Sequence, residues 1–260
     1  MRKKRYFTKF TKSYIKLKVY IQTDKNREFY NVNAFIAYEG FKHFGFEIEK
    51  YFNVETIKDN NPENIIVGGI GNVRRGIELL GFKRNQQEID YPQELEKYLK
   101  RKIWKSTLEE VLKQKQFNVF IKPDIETKKF AGKVFKNELD FVGLIDNEKP
   151  TKVLCSEIIN FKTEFRCFIR YNEILDIRRY KGDWDKSINL EIVKNAISDF
   201  KSQPNSFALD FGVTENNETI LVEVNDGHSL GSYGISSQNY AKFLSARWSE
   251  LTNTIDYLNF

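Results

Sequence analysis

The chain has 260 residues, 40% of them hydrophobic and 15% aromatic, enough to bury a proper core and too apolar for general disorder. No run of about 18 apolar residues occurs, which argues against a transmembrane helix, and the basic start lacks the apolar stretch of a signal peptide. The net charge of +6 is uneven, because residues 2 to 18 carry Arg2, Lys3, Lys4, Arg5, Lys9, Lys12, Lys16 and Lys18 and no acid. Such a run is either a solvated tail or a contact for nucleic acid or another acidic partner. The two cysteines, Cys155 and Cys167, each sit in an apolar run without CxxC spacing. They read as free core thiols in a reducing cytoplasm rather than a disulfide or zinc site.

Taken in order, Leu17 to Gln22 reads as a strand, and Asn31 to His43 as a helix with Val32, Phe35, Ile36 and Phe41 at helical spacing. Phe46 to Tyr51 and Ile65 to Val67 read as strands, and Val73 to Leu80 as a helix stopped by Gly81. This order predicts a small α/β lobe with parallel strands at residues 1–100. Gly68-Gly69-Ile70-Gly71 stands where a strand meets a helix, with Arg74 in place of the third glycine of GxGxxG. It is therefore a structural turn or a substrate-facing loop rather than a dinucleotide site.

Tyr91 to Lys100 reads as a short helix, and Ser106 to Glu110 as the capped start of another. Phe117 to Lys122 is an apolar strand ending in Lys-Pro, and Val153 to Ile159 is the next strand. Thr163 to Lys181 forms a hairpin turning at Asn172-Glu173, which sets Glu164 opposite Lys181 and Arg166 opposite Arg179. Two arginines opposed on a pleat call for an anion between them. Ile188 to Phe200 is an amphipathic helix with Ile188, Ile192, Ala196, Ile197 and Phe200 inward, and Gln238 to Leu251 is a helix without an evident chemical role.

Between these helices lies the stretch richest in chemistry. Phe207, Leu209, Phe211 and Val213 alternate with small or polar residues, Ile220, Val222 and Val224 repeat the pattern, and Asn216-Asn217 supplies turn residues between them. A two-residue turn there pairs Phe211 with Val222, Leu209 with Val224 and Asp210 with Glu223, with Asn225 further along the same face opposite Ala208. Facing carboxylates repel, and a hard divalent cation resolves the conflict by taking their oxygens as ligands.

The Asp on one strand, the Glu-Val-Asn on the next and the loop Asp226-Gly227-His228-Ser229-Leu230-Gly231 resemble the magnesium hairpin of the ATP-grasp superfamily. The E-F-R…R-R-Y-K-G-D stretch resembles that of a phage and bacterial clade within it. The resemblance implies an α+β fold in which two lobes clamp ATP at residues 101–260, behind the α/β lobe. It implies Asp210, Glu223 and Asn225 as Mg²⁺ ligands and Lys122 as a phosphate contact. Lys105 is a second phosphate contact, and Asp124 to Gly132, with Lys128, Lys129 and Lys133, is the closing loop. Glu157 and Ile159 fit the adenine linker, and Glu164 joins the nucleotide contacts. Arg166, Arg178, Arg179 and Lys181 are the expected anion stabilisers, and His228 the group that accepts a proton from an incoming amine. The implied reaction joins a small-molecule or peptide carboxylate to an amine through an acyl phosphate, with ATP and Mg²⁺ as cofactors. The same machinery would serve a kinase, and the basic N-terminus with 13 tyrosines and 22 phenylalanines keeps a nucleic-acid-binding module open.

Overall fold

The computed structural model describes residues 17–83, 89–124, 130–145 and 149–260. The basic run up to Lys16 and the loop lysines Lys128 and Lys129 lie outside the described residues. No described helix is long and apolar enough to cross a membrane.

The N-terminal lobe is a parallel sheet of β1 (Lys18–Gln22), β2 (Glu47–Tyr51) and β3 (Ile65–Val67) in the order β2-β1-β3, with α1 (Val32–His43) and α2 (Ile70–Leu79). Asn31 begins α1 by accepting a hydrogen bond from the Ala34 amide at 3.0 Å, a side-chain cap for an otherwise orphaned donor. The inward face of α1 differs from the expected one. Ala34, Ala37, Gly40 and Phe41 are buried, whereas Val32 and Phe35 are 66% and 43% exposed. The cause is a close helix crossing. A Cβ on Gly40 would lie 2.0 Å from the Ser237 carbonyl oxygen and 2.9 Å from the Ala241 methyl of α6 (Ser237–Leu251), so only small residues fit between the two backbones.

The central sheet has the order β4-β7-β5-β6, from β4 (Ile103–Thr107), β5 (Val119–Pro123), β6 (Lys133–Phe135) and β7 (Lys152–Ser156). The short helices α3 (Glu96–Leu99) and α4 (Leu108–Lys113) flank β4. The helix expected from Ser106 starts later, because Ser106 and Thr107 complete β4 and the Thr107 hydroxyl caps the Glu110 amide. Strand β7 stops at Ser156, three residues short of the expected Ile159.

The third sheet, β11-β10-β8-β9, is antiparallel: β8 (Phe161–Arg170), β9 (Glu173–Gly182), β10 (Ser206–Thr214) and β11 (Thr219–Asp226). One face is apolar. Cys167, Ile169, Phe207, Leu209, Phe211, Leu221 and Val224 are buried there against α5 (Leu190–Asp199) and against Ile89, Leu95 and Leu99. On α5 the buried residues are Val193, Ala196 and Ile197, so Val193 joins the predicted set. The other face is split between Phe168 and Ala208, buried with α6 and the N-terminal lobe, and a strip of charge. Helix α6 is thus the common wall of two lobes, a role its sequence did not suggest. Cys155 and Cys167 are buried free thiols, as expected.

Both hairpin turns depart from expectation. The first is Tyr171-Asn172, both at positive φ, one residue earlier than predicted, and irregularities at Phe168/Ile169 and Glu164/Phe165 then shift the register. Glu164 still faces Lys181, but Arg166 faces Arg178 instead of Arg179. In the second, Thr214 pairs with Glu218 and only Asn217 has positive φ, making a three-residue loop. Phe211 therefore faces Leu221, not Val222.

The α1–α6 crossing gives a test by urea unfolding. Gly40→Ala should destabilise the fold by about 1–3 kcal/mol through overpacking. Gly71→Ala, whose Cβ enters open space inside α2, should be stabilising by about 0.5–1 kcal/mol.

Candidate active site

The charged strip begins with the ladder itself. Val222 is an extra residue in β11, and the irregularity it causes between Asp210 and Phe211 brings Asp210 opposite Glu223. The pairing continues across the sheet, Asp210 to Arg166 and Arg166 to Arg178. One row thus reads Glu223, Asp210, Arg166, Arg178 from edge to edge, two negative charges followed by two positive.

Asp210 is only 2% exposed. The Arg166 guanidinium grips it with both arms, Nε to Oδ1 at 2.8 Å and Nη2 to Oδ2 at 2.7 Å. Burial pushes the Asp210 carboxyl up to about 6 against the pull of Arg166, with Glu223 adding to the rise. The fork-on-fork contact requires an ionised acceptor, so the pair is ionic at neutral pH. Asn225 bridges the two acids, its Nδ2 donating to Asp210 Oδ2 at 3.2 Å and to Glu223 Oε1 at 3.3 Å.

Glu223 is answered from the opposite sheet. Lys122, at the end of β5, donates to Glu223 Oε2 at 3.0 Å and to Asp90 Oδ2 at 2.8 Å, with its ammonium 4.5 Å from the Tyr91 ring centre. Burial alone would lower the Lys122 pKa, but Glu223, Tyr91 and Asp90 outweigh it and hold it above the usual value. The Glu223 carboxyl, pushed up by burial, is brought below its usual value by Lys122. Lys105 on β4 and Lys122 on β5 both pair with Leu154 of β7, so the two lysines share one face of the central sheet.

Two carboxylates from adjacent strands offer oxygens that suit a hard cation, and Asn225, whose Nδ2 here faces both acids, would add its carbonyl oxygen by turning its amide over. Among the described residues no group of three His, Cys, Asp or Glu side chains could hold a metal, so Asn225 is needed to complete the set.

The remaining expected residues divide. Glu164 is buried and takes hydrogen bonds from Tyr180 at 2.8 Å and from Lys181. Arg178 lies in the row but is held by Asp176. The structure does not bring Arg179 to the strip, since its guanidinium stacks on the exposed Trp184 and donates to the Gly182 carbonyl. Glu157 is exposed, follows β7 and accepts from the Lys102 amide at 2.8 Å; Ile159 lies two residues beyond it. Lys129 lies outside the described residues. His228 sits 3.8 Å from Asp226, and burial lowers its pKa, which keeps the imidazole neutral at pH 7.

Several participants went unread in the sequence. Asp90 and Tyr91 precede Pro92 in a stretch taken only for a helix start. Tyr233 lies 4.8 Å from the Arg166 guanidinium and stacks on Tyr180 at 4.8 Å. Arg247 of α6 grips Asp226 with two bonds of 2.6 and 2.7 Å. Only the alternation of charged residues around Arg166 and Tyr180 carried any signal.

A cleft of about 820 Å³ runs through this region. Its lining combines Gly68, Gly69 and Arg74 of the N-terminal lobe, Lys122 and Gly132 of the central sheet, and Asn225 and His228 of the hairpin. The Gly68-Gly69 turn thus faces the cleft, and the Gly69 amide donates to Gln22 Oε1 at 2.7 Å.

The fold is similar to that of the D-alanine–D-alanine ligase from Bacillus anthracis, with a TM-score of 0.57 and 14% identity over 91% of this chain and 98% of that one. The same enzyme complexed with ATP gives a TM-score of 0.58 at 13% identity, covering 91% and 98%. A RimK domain ATP-grasp protein from Sphaerobacter thermophilus gives 0.55 at 12% identity, covering 87% and 99%. An L-amino acid ligase from Bacillus licheniformis gives 0.54 at 11%, covering 90% and 75%. No curated protein sequence matches the chain. The model of the ATP-grasp domain, R2K clade family 2, matches residues 98–243, the span that builds the central sheet, the charged strip and the hairpin. The chain therefore belongs to the R2K clade of ATP-grasp proteins, whose fold is α+β and whose cofactors are ATP and Mg²⁺.

Proposed function

We propose that the protein is an ATP-dependent ligase that joins a carboxylate to an amine through an acyl phosphate, releasing ADP and phosphate. The observation that carries this reading is the meeting of Asp210, Glu223 and Asn225 with Lys122, where Asn225 and Lys122 line a cleft that is also walled by the N-terminal lobe. That third wall leaves room for an acceptor substrate beside the γ-phosphate. The fold likeness to ligases that join amino acids supports the same class.

Asp210, Glu223 and Asn225 would hold Mg²⁺, which supplies charge neutralisation at the β- and γ-phosphates. Lys122 and Lys105 contact the phosphates, with Lys129 of the closing loop, and Glu157, Ile159 and Glu164 take the nucleoside. A substrate carboxylate oxygen attacks the γ-phosphorus, the bond to ADP breaks, and Arg166, with Arg178 and Lys181 beside it, steadies the anion that develops. Arg179 would contribute only by leaving Trp184. The amine nitrogen then attacks the acyl carbon and phosphate departs. Neutral His228, with Asp226 behind it, accepts the amine proton. The substrates are small molecules or peptides.

The test is mass spectrometry of the protein incubated with ATP, Mg²⁺ and a small-molecule extract. ADP with a product one water lighter than two components combined is expected; ADP with a phosphorylated product would instead make it a kinase. Glu223→Gln should lower turnover by about 10²- to 10³-fold while Lys122 keeps Asp90 as a partner. A second outcome follows from the buried ion pair. Arg166→Met leaves Asp210 without its counter-ion and should reduce unfolding stability by about 3–5 kcal/mol, read from urea titration.

A further inference from the structure

Strand β11 is the edge of its sheet, so its outer backbone groups have no neighbouring strand. Three of them are nevertheless satisfied, and all three flank Glu223. Arg101 Nη1 donates to the Leu221 carbonyl at 2.7 Å, Arg101 Nη2 donates to the Val222 carbonyl at 2.6 Å, and the Val224 amide donates to the Asp90 carbonyl at 2.9 Å.

Two consecutive carbonyls on one side cannot occur in a regular pleat, where they alternate between edges. They occur here because Val222 is the extra residue of the bulge. The guanidinium fork spans that irregular pair, a geometry an ammonium cannot reproduce. The other end of the same side chain is fixed as well. Arg101 Nε donates to Ser156 Oγ at 2.9 Å, and Nη1 also reaches the Leu99 carbonyl at 3.1 Å. Ser156 ends β7 of the central sheet, and its hydroxyl donates to the Glu157 carbonyl at 2.7 Å. Its oxygen partners Leu221, Val222, Leu99 and Ser156 are neutral, and the guanidinium also feels the charge of nearby Glu223, so its placement serves shape as well as charge.

We propose that Arg101 is a positioning residue that locks the Val222 bulge and so keeps Glu223 opposite Asp210 for metal binding, while fixing β11 to the central sheet. The proposal rests on the reading of Asp210, Glu223 and Asn225 as the metal ligands. Without the lock, a one-residue relaxation of the bulge would turn the Glu223 side chain to the apolar face.

The test uses Mn²⁺ as the probe, titrated into the full chain without nucleotide and followed by electron paramagnetic resonance. Arg101→Lys should bind Mn²⁺ about 10- to 100-fold more weakly than wild type, the usual scale for a group supporting a metal ligand. Amide hydrogen exchange should rise in residues 219–226 of that variant and stay unchanged in the N-terminal lobe. Should Arg101→Lys fail to fold by circular dichroism, Ser156→Ala decides: it removes one contact of the fork and should weaken Mn²⁺ by about fivefold, one hydrogen bond's contribution. Unchanged Mn²⁺ affinity in the folded variant, or an exchange increase spread evenly over the chain, overturns the proposal and leaves the metal site standing. Failure of the wild type itself to bind Mn²⁺, with Glu223→Gln behaving identically, overturns the metal reading and this proposal together.

Discussion

Two carboxylates that face each other across a β-ladder are the constraint around which the rest of this molecule is arranged. Asp210 and Glu223 occupy directly opposed positions, where side chains are roughly 5 Å apart and like charges destabilise the pair. Each is answered by a different cation from a different place. Arg166 comes from the adjacent strand of the same sheet, and Lys122 comes from the facing sheet. The repulsion is thereby converted into two attractions, one within the lobe and one between lobes. Because these groups are largely shielded from water, their attraction is stronger than that of the exposed ion pairs elsewhere on the surface.

The position of that strip follows from the packing around it. One face of the third sheet is mainly apolar and closed by α5. On the other, Phe168 and Ala208 are buried under α6, to whose carbonyls Ser206 and Arg170 also donate, and the strip of charge lies further along the same strands. Helix α6 also holds α1 through the small residues at Gly40 and Ala241, and holds the end of β11 through Arg247 and Asp226. The N-terminal lobe is therefore tied to the same strand that carries Glu223 and Asn225. Helix α6 thus ties two walls of the cleft together, and the central sheet joins them through Lys122 and Arg101.

The hairpin that sets Asp210 opposite Glu223 was legible in the sequence, and partly through compensating errors. The turn was read as two residues and is three, which shifts the ladder by one from Val213 to Phe211. The Val222 bulge shifts it back, so Asp210 meets Glu223 as the alternation implied. The bulge went unread, although the apolar run Ile220-Leu221-Val222 breaks the alternation where it falls. The first hairpin behaves likewise at Glu164 and Lys181 but not at Arg166, whose partner is Arg178 because the displaced register is restored only beyond it. Short-range alternation revealed which faces are polar. Arg101 remained hidden for another reason: its partners Leu221 and Val222 lie 120 and 121 residues away in sequence, and they are backbone carbonyls that carry no residue signature at all.

The partners of the two cations also bear on how charged ligands enter a buried site. On the proposed metal reading Asp210 and Glu223 would turn to a divalent ion and Arg166 and Lys122 would each lose a carboxylate, and an unpaired buried charge is costly. Lys122 retains Asp90 at 2.8 Å and the face of Tyr91. Arg166 retains the face of Tyr233 and the Gly231 carbonyl at 3.4 Å. Neither cation is stranded, and Lys122, which lines the cleft, is left with donor capacity there. On the ligase reading that capacity goes to the phosphates arriving with the metal, so the charges that neutralise the resting acids become those that receive the anion. A site built this way exchanges partners instead of creating and burying new charge, with Arg166 in the row of the two acids and Lys122 closing on it from the facing sheet.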